Sequence, residues 1–452
     1  MRLLGDSFWT MALGRTILAT RALPPHDPFA YTSVHEPYFV HMPATAILFA
    51  WLASHAGLAS VAAVAAAVNA GPWIVAWLGS SQRFATRLLM LPPLLLGEFL
   101  ETDGLCARGQ VFGSLGFALL LVLLDGVRRG RPVRWYVPFG LSVAWTNLHP
   151  SFMLAVVVPL AYAAMSYIDP PDERTPAPPL LAFAGWAAAG AQVTPYGPRL
   201  FVDVIKLMQD PTTARVDLFQ PPSFRSTAWL AVAALALASM ALRAHYGPRL
   251  CRGSDVAMLC ALLAATCAAR RYSDLLWLAV ILTLGSEAED ALEKVGGMAR
   301  LVAARFATLA VLAMTGGELL ASAALAVWPK DLLFNVPAAA AAFVQSRDLP
   351  DHVFAPYHWG GYLDWAFDGR RKVFIDGRNM LFHNGVMQDA LFIQAAGPGW
   401  SALLDAYDVE TLITERWTPL DTAVTADPAW QWLFRDAISG VYVRRRTPRA
   451  PR

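Results

Sequence analysis

The chain has 452 residues, of which 56% are hydrophobic and only 15% are charged, and its mean hydropathy is +0.41. Soluble globular domains carry about 25% charged residues, so this composition excludes an ordinary soluble protein and indicates a membrane protein. The net charge of +2, without a basic stripe, argues against a nucleic-acid partner.

The N-terminal residues 1–41 form a polar, aromatic loop, in which we predict a short interfacial helix over Phe8–Thr20. Asp6 and Asp27 lie on either side of this helix. A carboxylate fixed at a membrane surface can accept a proton from a hydroxyl group or bind a divalent cation. For Asp6, the alternative is a helix N-terminal residue favoured by the helix dipole.

Residues 42–328 contain a series of apolar runs. Several runs approach the roughly 20 residues that a spanning helix needs, and we predict about ten spans. The runs are Met42–Trp51, Leu58–Leu78, Val111–Leu124, Trp135–Ile168, Leu180–Val193, Ala228–Leu242, Val256–Ala269, Leu275–Leu284 and Leu301–Val327. Pro92 and Pro93 interrupt a further run, Leu88–Leu100, which we interpret as re-entrant.

Short loops rich in arginine predict the orientation of the bundle. We assign the loops Arg128–Arg134 and Arg243–Arg252 to the cytoplasmic side. Counting spans from these loops places residues 1–41, the turn at His149 and the C-terminal region on the outer side.

Asn147 and His149 interrupt the apolar run Trp135–Ile168. This run of 34 residues is too long for one span, so we predict two helices joined by a tight turn at Leu148–Ser151. The two polar side chains suit binding of a phosphate or sugar, or capping of the second helix, and the sequence does not separate these alternatives.

Two outer segments carry arginines. Arg225 follows Tyr196 in one loop, where a guanidinium suits a phosphate or pyrophosphate, or reaches the lipid headgroups. Arg270 and Arg271 share a very short turn, against the usual charge bias, so we predict an anionic partner. The partner is a lipid phosphate or one of the carboxylates Glu98, Glu101 and Asp103.

Residues 329–452 have the pattern of a small α/β layer fold. We predict strands at His352–Ala355, Lys372–Ile375 and Thr411–Thr414, a terminal pair at Trp430–Arg435 and Val441–Arg445, and helices at His358–Phe367, Gly385–Ala395 and Trp400–Tyr407. Asp376 and Arg378 follow the second strand, where α/β folds bind ligands. The alternative is a structural Asp–Arg pair that closes the loop.

Seven short motifs, in this order, together resemble the GT-C glycosyltransferase superfamily and a bacterial branch of it with a C-terminal domain. They are Asp6–Trp9, Gly14-Arg15, Pro25–Phe29, Trp145–His149, Thr194–Gly197, Trp359–Leu363 and Ile375–Arg378. GT-C enzymes are polytopic and take a sugar from a polyprenyl-phosphate lipid on the outer membrane face.

The resemblance implies a GT-C-like α-helical polytopic membrane bundle with an extracytoplasmic C-terminal α/β domain, in a bacterial inner membrane. It implies glycosyl transfer from a polyprenyl-phosphate-linked sugar to an acceptor on the outer face. Asp6 would be the catalytic carboxylate, and Asp27 would assist it directly or through a divalent cation. Arg225, Arg270 and Arg271 would neutralise the leaving phosphate.

The chain also departs from the superfamily. Five residues precede Asp6, where the superfamily has a spanning helix, and Thr10 and Thr194 replace the His and Asn of related loops. The alternative function is therefore a non-catalytic GT-C-derived subunit that scaffolds a membrane complex or binds lipid. A secondary transporter is disfavoured, because the sequence lacks repeats and has few charges deep within the spans.

Overall fold

The structure, a computed structural model, describes residues 3–81, 87, 90, 94, 107–171, 174–209, 220–221, 230, 234, 237, 252–293, 335–347, 349–382 and 385–445. These residues form two compact units. The helical unit comprises the described residues within 62–206 and 214–328, and the mixed unit those within 2–61, 207–213 and 329–452. Arg225, Glu98, Glu101 and Asp103 lie outside the described residues.

The mixed unit begins with two helices, α1 (Gly5–Thr20) and α2 (Pro43–Ala56). Helix α1 begins three residues before the predicted start at Phe8, so Asp6 lies in its first turn. Residues 7–14 are all buried, and a Cβ atom added at Gly14 would lie 1.9 Å from the carbonyl oxygen of Ala46. The missing side chain at Gly14 therefore lets α1 lie directly against α2.

The described residues that follow contain the α-helices α3 (Leu58–Ser80), α4 (Gln110–Arg128), α5 (Tyr136–Leu148), α6 (Leu154–Met165), α7 (Ala177–Gly190), α8 (Arg199–Gln209), α9 (Gly253–Ala268) and α10 (Ser273–Glu293). Within the described residues, Leu58–Ser80, Gln110–Arg128 and Pro150–Ile168 are long and apolar enough to cross a membrane. The total of about ten spans remains a prediction.

Helix α4 connects two polar ends of the helical unit. At its start, Ser114 donates a hydrogen bond to Asp274 at the beginning of α10. At its end, Arg128 pairs with Asp255 at the beginning of α9, at 2.6 Å. Arg128 lies fourteen positions after Ser114 in the helix, or about 21 Å along the helix axis. The apolar core lies between these ends and includes Phe117, Leu120 and Trp277.

The C-terminal part of the mixed unit contains α11 (Ala338–Ser346), β1 (His352–Phe354), α12 (Tyr357–Phe367), β2 (Lys372–Val373), α13 (Val386–Gln394), α14 (Trp400–Ala406), β3 (Thr411–Glu415), α15 (Pro419–Ala426), β4 (Trp430–Arg435) and β5 (Ser439–Arg444). The sheet order is β2-β1-β3-β5-β4, with β1 parallel to β2 and β3, and β5 antiparallel to β3 and β4. The predicted strands and helices are confirmed, with small shifts at their ends.

The loop between α1 and α2 extends this sheet beside β2. The backbone N–H of Val373 donates to the carbonyl of Phe29 at 3.0 Å, and that of Tyr31 donates to the carbonyl of Val373 at 3.1 Å. The ring of Tyr31 stacks on His352, with ring centroids 4.2 Å apart. The N-terminal loop and the C-terminal sheet are therefore parts of one folded body.

Candidate functional site

Asp6 occupies a half-buried position in the first turn of α1. Its Oδ1 atom accepts a hydrogen bond from the indole N–H of Trp9 at 3.2 Å, one turn further along the helix. An acidic residue in the first turn also interacts favourably with the positive end of the helix dipole. The predicted structural role of Asp6 and a chemical role are therefore compatible at this position.

Gly377 packs closely against this carboxylate. A Cβ atom added at Gly377 would lie 2.6 Å from Asp6 Oδ1 and 2.9 Å from Trp9 Nε1. Real Cβ atoms almost never approach other atoms so closely, so any larger residue would have to displace the side chains of Asp6 and Trp9. The sequence analysis missed Trp9 and Gly377 as site residues, although both lie in the motifs that it identified.

Two glycines of α12 bring the same segments together. A Cβ atom at Gly361 would lie 2.2 Å from the carbonyl oxygen of Gly5, and one at Gly360 would lie 1.9 Å from that of Ile375. Helix α12 thus packs without side chains against both the start of α1 and the segment after β2. The motifs Trp359–Leu363 and Ile375–Arg378 both build the surroundings of Asp6.

Arg378 and Asp376, on either side of Gly377 in the sequence, form a buried ion pair. The Nε atom of Arg378 donates to both carboxylate oxygens of Asp376, at 3.0 and 3.1 Å, and the Arg378 side chain is fully buried. The pair closes the loop after β2, as the structural alternative predicted. The guanidinium also donates to Asp27 Oδ1 at 2.7 Å, so the pair reaches beyond its own loop.

Asp27 is 2% exposed and accepts three hydrogen bonds from the protein. Oδ1 accepts from Arg378 and from the backbone N–H of Phe29 at 2.9 Å, and Oδ2 accepts from the Ser33 hydroxyl. This donor set suits an anchoring carboxylate and does not suit a ligand of a divalent cation. Across the described residues, no group of three or more His, Cys, Asp or Glu side chains could hold a metal ion.

A further buried carboxyl, Asp364 of α12, lies beside the cluster and was also missed by the sequence analysis. It is 1% exposed. Burial, and secondarily the carboxylate of Asp376, raises the pKa of Asp364 well above its ordinary value of 3.8. This rise favours the protonated form of Asp364. Burial also raises the pKa of Asp376, although the guanidinium of Arg378 opposes that rise.

The predicted turn in the helical unit is confirmed, and its polar residues are engaged by the protein. Helix α5 ends at Leu148, and a 3-10 turn at Pro150–Met153 leads into α6. His149 Nδ1 accepts from the backbone N–H of Ser151 at 3.2 Å and therefore caps this turn. The side-chain amide of Asn147 donates to the carbonyls of Val143 and Val193, at 2.9 and 2.8 Å.

Tyr196 is half-buried and packs against the apolar core of the helical unit. The Asn147 bond to Val193 ties α5 to the segment that leads to Tyr196. The structure thus brings the Trp145–His149 and Thr194–Gly197 motifs together. It does so through the hydrogen bond from the Asn147 side chain to the carbonyl of Val193, the residue before Thr194, which needs no ligand.

Arg270 and Arg271 lie in a 3-10 turn between α9 and α10. The backbone N–H of Arg270 donates to the carbonyl of Gln220 at 3.0 Å. Arg271 is attracted electrostatically by Asp274 and repelled by Arg108, which precedes α4. The described carboxylate in this neighbourhood is Asp274, and Arg108 is a third arginine that the sequence analysis missed.

No protein-family model matches the chain, and no curated protein matches it. Some solved structures do match the chain. The archaeal oligosaccharyltransferase AglB from Archaeoglobus fulgidus, in complex with an inhibitory peptide and a dolichol-phosphate, has a TM-score of 0.55 and 12% identity. That match covers 91% of this chain, which spans 65% of AglB.

ArnT from Cupriavidus metallidurans, bound to undecaprenyl phosphate, has a TM-score of 0.50 and 12% identity, over 100% of this chain and 96% of ArnT. Both proteins are GT-C membrane glycosyltransferases. Identities this low establish the fold alone. The chain is therefore a membrane protein with a GT-C-like fold.

Proposed function

We propose that the protein transfers a glycosyl unit from a polyprenyl-phosphate-linked sugar to an acceptor on the outer face of a bacterial inner membrane. In this proposal, the N-terminal loop and the C-terminal domain lie on the outer side. The observation that carries the proposal is the Asp6 carboxylate within a GT-C-like fold. The indole N–H of Trp9 donates a hydrogen bond to this carboxylate, and Gly377 packs closely against it. The dolichol-phosphate bound to AglB and the undecaprenyl phosphate bound to ArnT support the class of lipid.

The chemistry is a single displacement at the anomeric carbon. The acceptor hydroxyl oxygen forms a bond to this carbon from the face opposite the phosphate, and Asp6 takes the hydroxyl proton. The bond from the anomeric carbon to the phosphate oxygen breaks, and the polyprenyl phosphate leaves with the electron pair. The configuration at the anomeric carbon inverts, and the protein contributes positioning and electrostatic stabilisation.

Arg270 and Arg271 are the proposed groups for the leaving phosphate. Two adjacent guanidiniums in one turn, with Arg108 near Arg271, concentrate positive charge at this end of the helical unit. Asp274 offsets part of that charge. A lipid phosphate would offset more, and guanidinium groups match phosphate oxygens in a bidentate geometry.

Asp27 takes a positioning role in this proposal. Its oxygens are occupied by Phe29, Ser33 and Arg378, so it holds the N-terminal loop in place and does not carry a proton from the acceptor. Asp376 and Arg378 contribute through the same buried cluster. Their geometry fixes Gly377, which touches Asp6.

The test is the release of polyprenyl phosphate in proteoliposomes supplied with a panel of synthetic polyprenyl-phosphate hexoses and pentoses, together with a bacterial membrane extract as the source of acceptor hydroxyl groups. We expect Asp6→Asn to reduce the rate by about 10²–10⁴-fold, the usual contribution of a general base. Asp351→Asn is the matched control, because that carboxylate is 74% exposed and makes a surface ion pair with Arg371.

Both variants should melt at the wild-type temperature, which separates a loss of chemistry from a loss of fold. A wild-type rate for Asp6→Asn with a donor that the wild-type protein consumes would remove Asp6 from the mechanism. If no donor in the panel releases polyprenyl phosphate faster than it does in empty liposomes, that result would count against the enzyme function as a whole.

The alternative is a non-catalytic GT-C-derived membrane subunit that scaffolds a complex or binds lipid. The engagement of Asn147, His149 and Asp27 by the protein itself favours it, because these side chains have structural partners. The two functions differ in one measurement. A subunit retains defined partner chains through purification in mild detergent and consumes no donor lipid.

A further inference from the structure

An apolar groove opens at the end of the helical unit where α4 ends. Its volume is about 170 Å³. Helices α4, α5 and α7 and the segment between α4 and α5 contribute its lining, which includes Val122, Val127, Pro132, Val133, Val137 and Phe183. A roughly 150 Å³ apolar cavity in another protein holds a benzene-sized hydrocarbon. This groove therefore has room for a segment of hydrocarbon chain.

Two arginines, Arg131 and Arg134, lie along this groove, and the backbone at Arg131 is held by the end of α4. The N–H of Gly130 donates to the carbonyl of Val127, and that of Arg131 donates to the carbonyl of Gly126, both at 2.9 Å. With Gly130 at φ +83°, this is the Schellman termination of α4. The stem of Arg131 lies against Gly126, since a Cβ atom there would be 3.3 Å from Arg131 Cδ.

The charges of these two arginines are not neutralised by carboxylates of the described residues. The two preceding arginines do have carboxylate partners, since Arg128 pairs with Asp255 and Arg129 pairs with Asp125 at 2.8 Å. Arg131 and Arg134 are exposed, and Arg134 donates to the Tyr136 hydroxyl at 3.0 Å. The end of the groove is thus positively charged, while its wall is apolar.

Exposed aromatic rings lie beside the groove. Trp135, Tyr136 and Trp186 are 54%, 50% and 44% exposed, and the rings of Trp135 and Trp186 are 5.7 Å apart. Tryptophan and tyrosine concentrate at the headgroup level of membrane proteins, where one end of the ring is apolar and the other is hydrated. A headgroup at this level would lie beside Arg131 and Arg134.

We infer that this groove binds one anionic phospholipid of the membrane. Its phosphate contacts Arg131 and Arg134, and the first part of one acyl chain fills the space between α4, α5 and Phe183. Basic pockets between membrane helices are a known form of lipid recognition. The site belongs to the end of the helical unit that carries Arg128, about 21 Å along α4 from Ser114, and it is independent of the proposed transfer reaction.

The experiment is native mass spectrometry of the purified full chain with phosphatidylglycerol or phosphatidylcholine of identical acyl chains. We expect one tightly retained phosphatidylglycerol and at least tenfold weaker retention of phosphatidylcholine. The double variant Arg131→Gln with Arg134→Gln should lose this preference. Val137→Phe, which fills the groove and keeps both arginines, should weaken retention of both lipids at least tenfold.

Arg174→Gln is the matched control, because Arg174 is also exposed but does not line the groove. It should retain phosphatidylglycerol within twofold of the wild type. Equal loss in this control would show non-specific attraction of lipid to positive charge and would overturn the site. Equal retention of the two lipids by the wild type, or wild-type retention by Val137→Phe, would also overturn it. Melting temperatures of all variants confirm that each protein is folded.

Discussion

In the mixed unit, buried charges connect segments that are far apart in the sequence, whereas the described polar residues at the turn of the helical unit bond mainly to nearby backbone. The Arg378–Asp27 bond joins residues 351 positions apart. His149 bonds to Ser151, two positions away, and Asn147 bonds to Val143 and Val193. The first arrangement is vulnerable, because removing one partner leaves a charge buried, whereas the second leaves only neutral groups unsatisfied.

The sharpest test of this difference is Arg378→Gln. Its loss leaves Asp27 and Asp376 buried without their counter-ion, which we expect to cost about 3–5 kcal/mol of stability. The matched variant in the helical unit, Asn147→Ala, removes two neutral hydrogen bonds and should cost only about 2 kcal/mol. The measurement is chemical denaturation of each purified variant in detergent. Equal losses in the two variants would mean that the two units do not differ in this respect.

Gly377→Ala tests whether the charged cluster serves the site or only the fold. A methyl group would lie 2.6 Å from Asp6 Oδ1, so the carboxylate of Asp6 must move away from it. A displacement of about 1 Å can reduce a rate by roughly 10²-fold, and we expect kcat for polyprenyl phosphate release to fall by about that factor with little change in KM.

Gly185→Ala is the control for this variant, because Gly185 lies within α7 and its added methyl group would meet no atom within 4 Å. Its kcat should stay within twofold of the wild type. If Gly377→Ala also keeps the wild-type kcat, the close approach of Gly377 to Asp6 has no role in the reaction.

The smallest expected effect is the pH dependence contributed by Asp364. Its pKa is raised in the folded protein, so its contribution to stability is complete below about pH 3.8 and is lost as the pH rises towards the folded-state pKa. Asp364→Asn mimics the protonated form and removes this loss. The melting temperature of the variant should therefore exceed that of the wild type by more at pH 8 than at pH 5. The same difference at both pH values would show that Asp364 does not titrate on unfolding.

The sequence predicted the elements of the C-terminal region well, because local patterns determine them. The strand at Trp430–Arg435 has the predicted bounds, and the helix at Trp400–Tyr407 ends one residue early. Helix α15 was missed because its threonines, proline and aspartate have the composition of a loop. Thr418 caps this helix by accepting from the N–H of Asp421, which only the structure reveals.

The surroundings of Asp6 were predicted less completely. The motifs identified Asp6, Asp376 and Arg378, but not that Gly377 touches Asp6 or that Arg378 binds Asp27. Contacts across more than 300 residues leave no periodicity in one sequence, and a glycine chosen for a close approach looks the same as one chosen for a turn. His149 shows the opposite case, since the capping alternative came from local spacing and agrees with its hydrogen bond to Ser151. Asn147 does not cap the second helix, because its amide donates to the carbonyls of Val143 and Val193.

The Arg378–Asp27 bond also orders events during synthesis. Asp27 leaves the ribosome 351 residues before its partner. At about 5–20 residues per second, the N-terminal loop waits on the order of 20–70 s before its counter-ion exists. During that interval, the loop also lacks Val373, which supplies its strand hydrogen bonds. The N-terminal loop therefore completes these contacts only after Val373 and Arg378 have been synthesised, and a chain that stalls before them would leave the loop open to proteases.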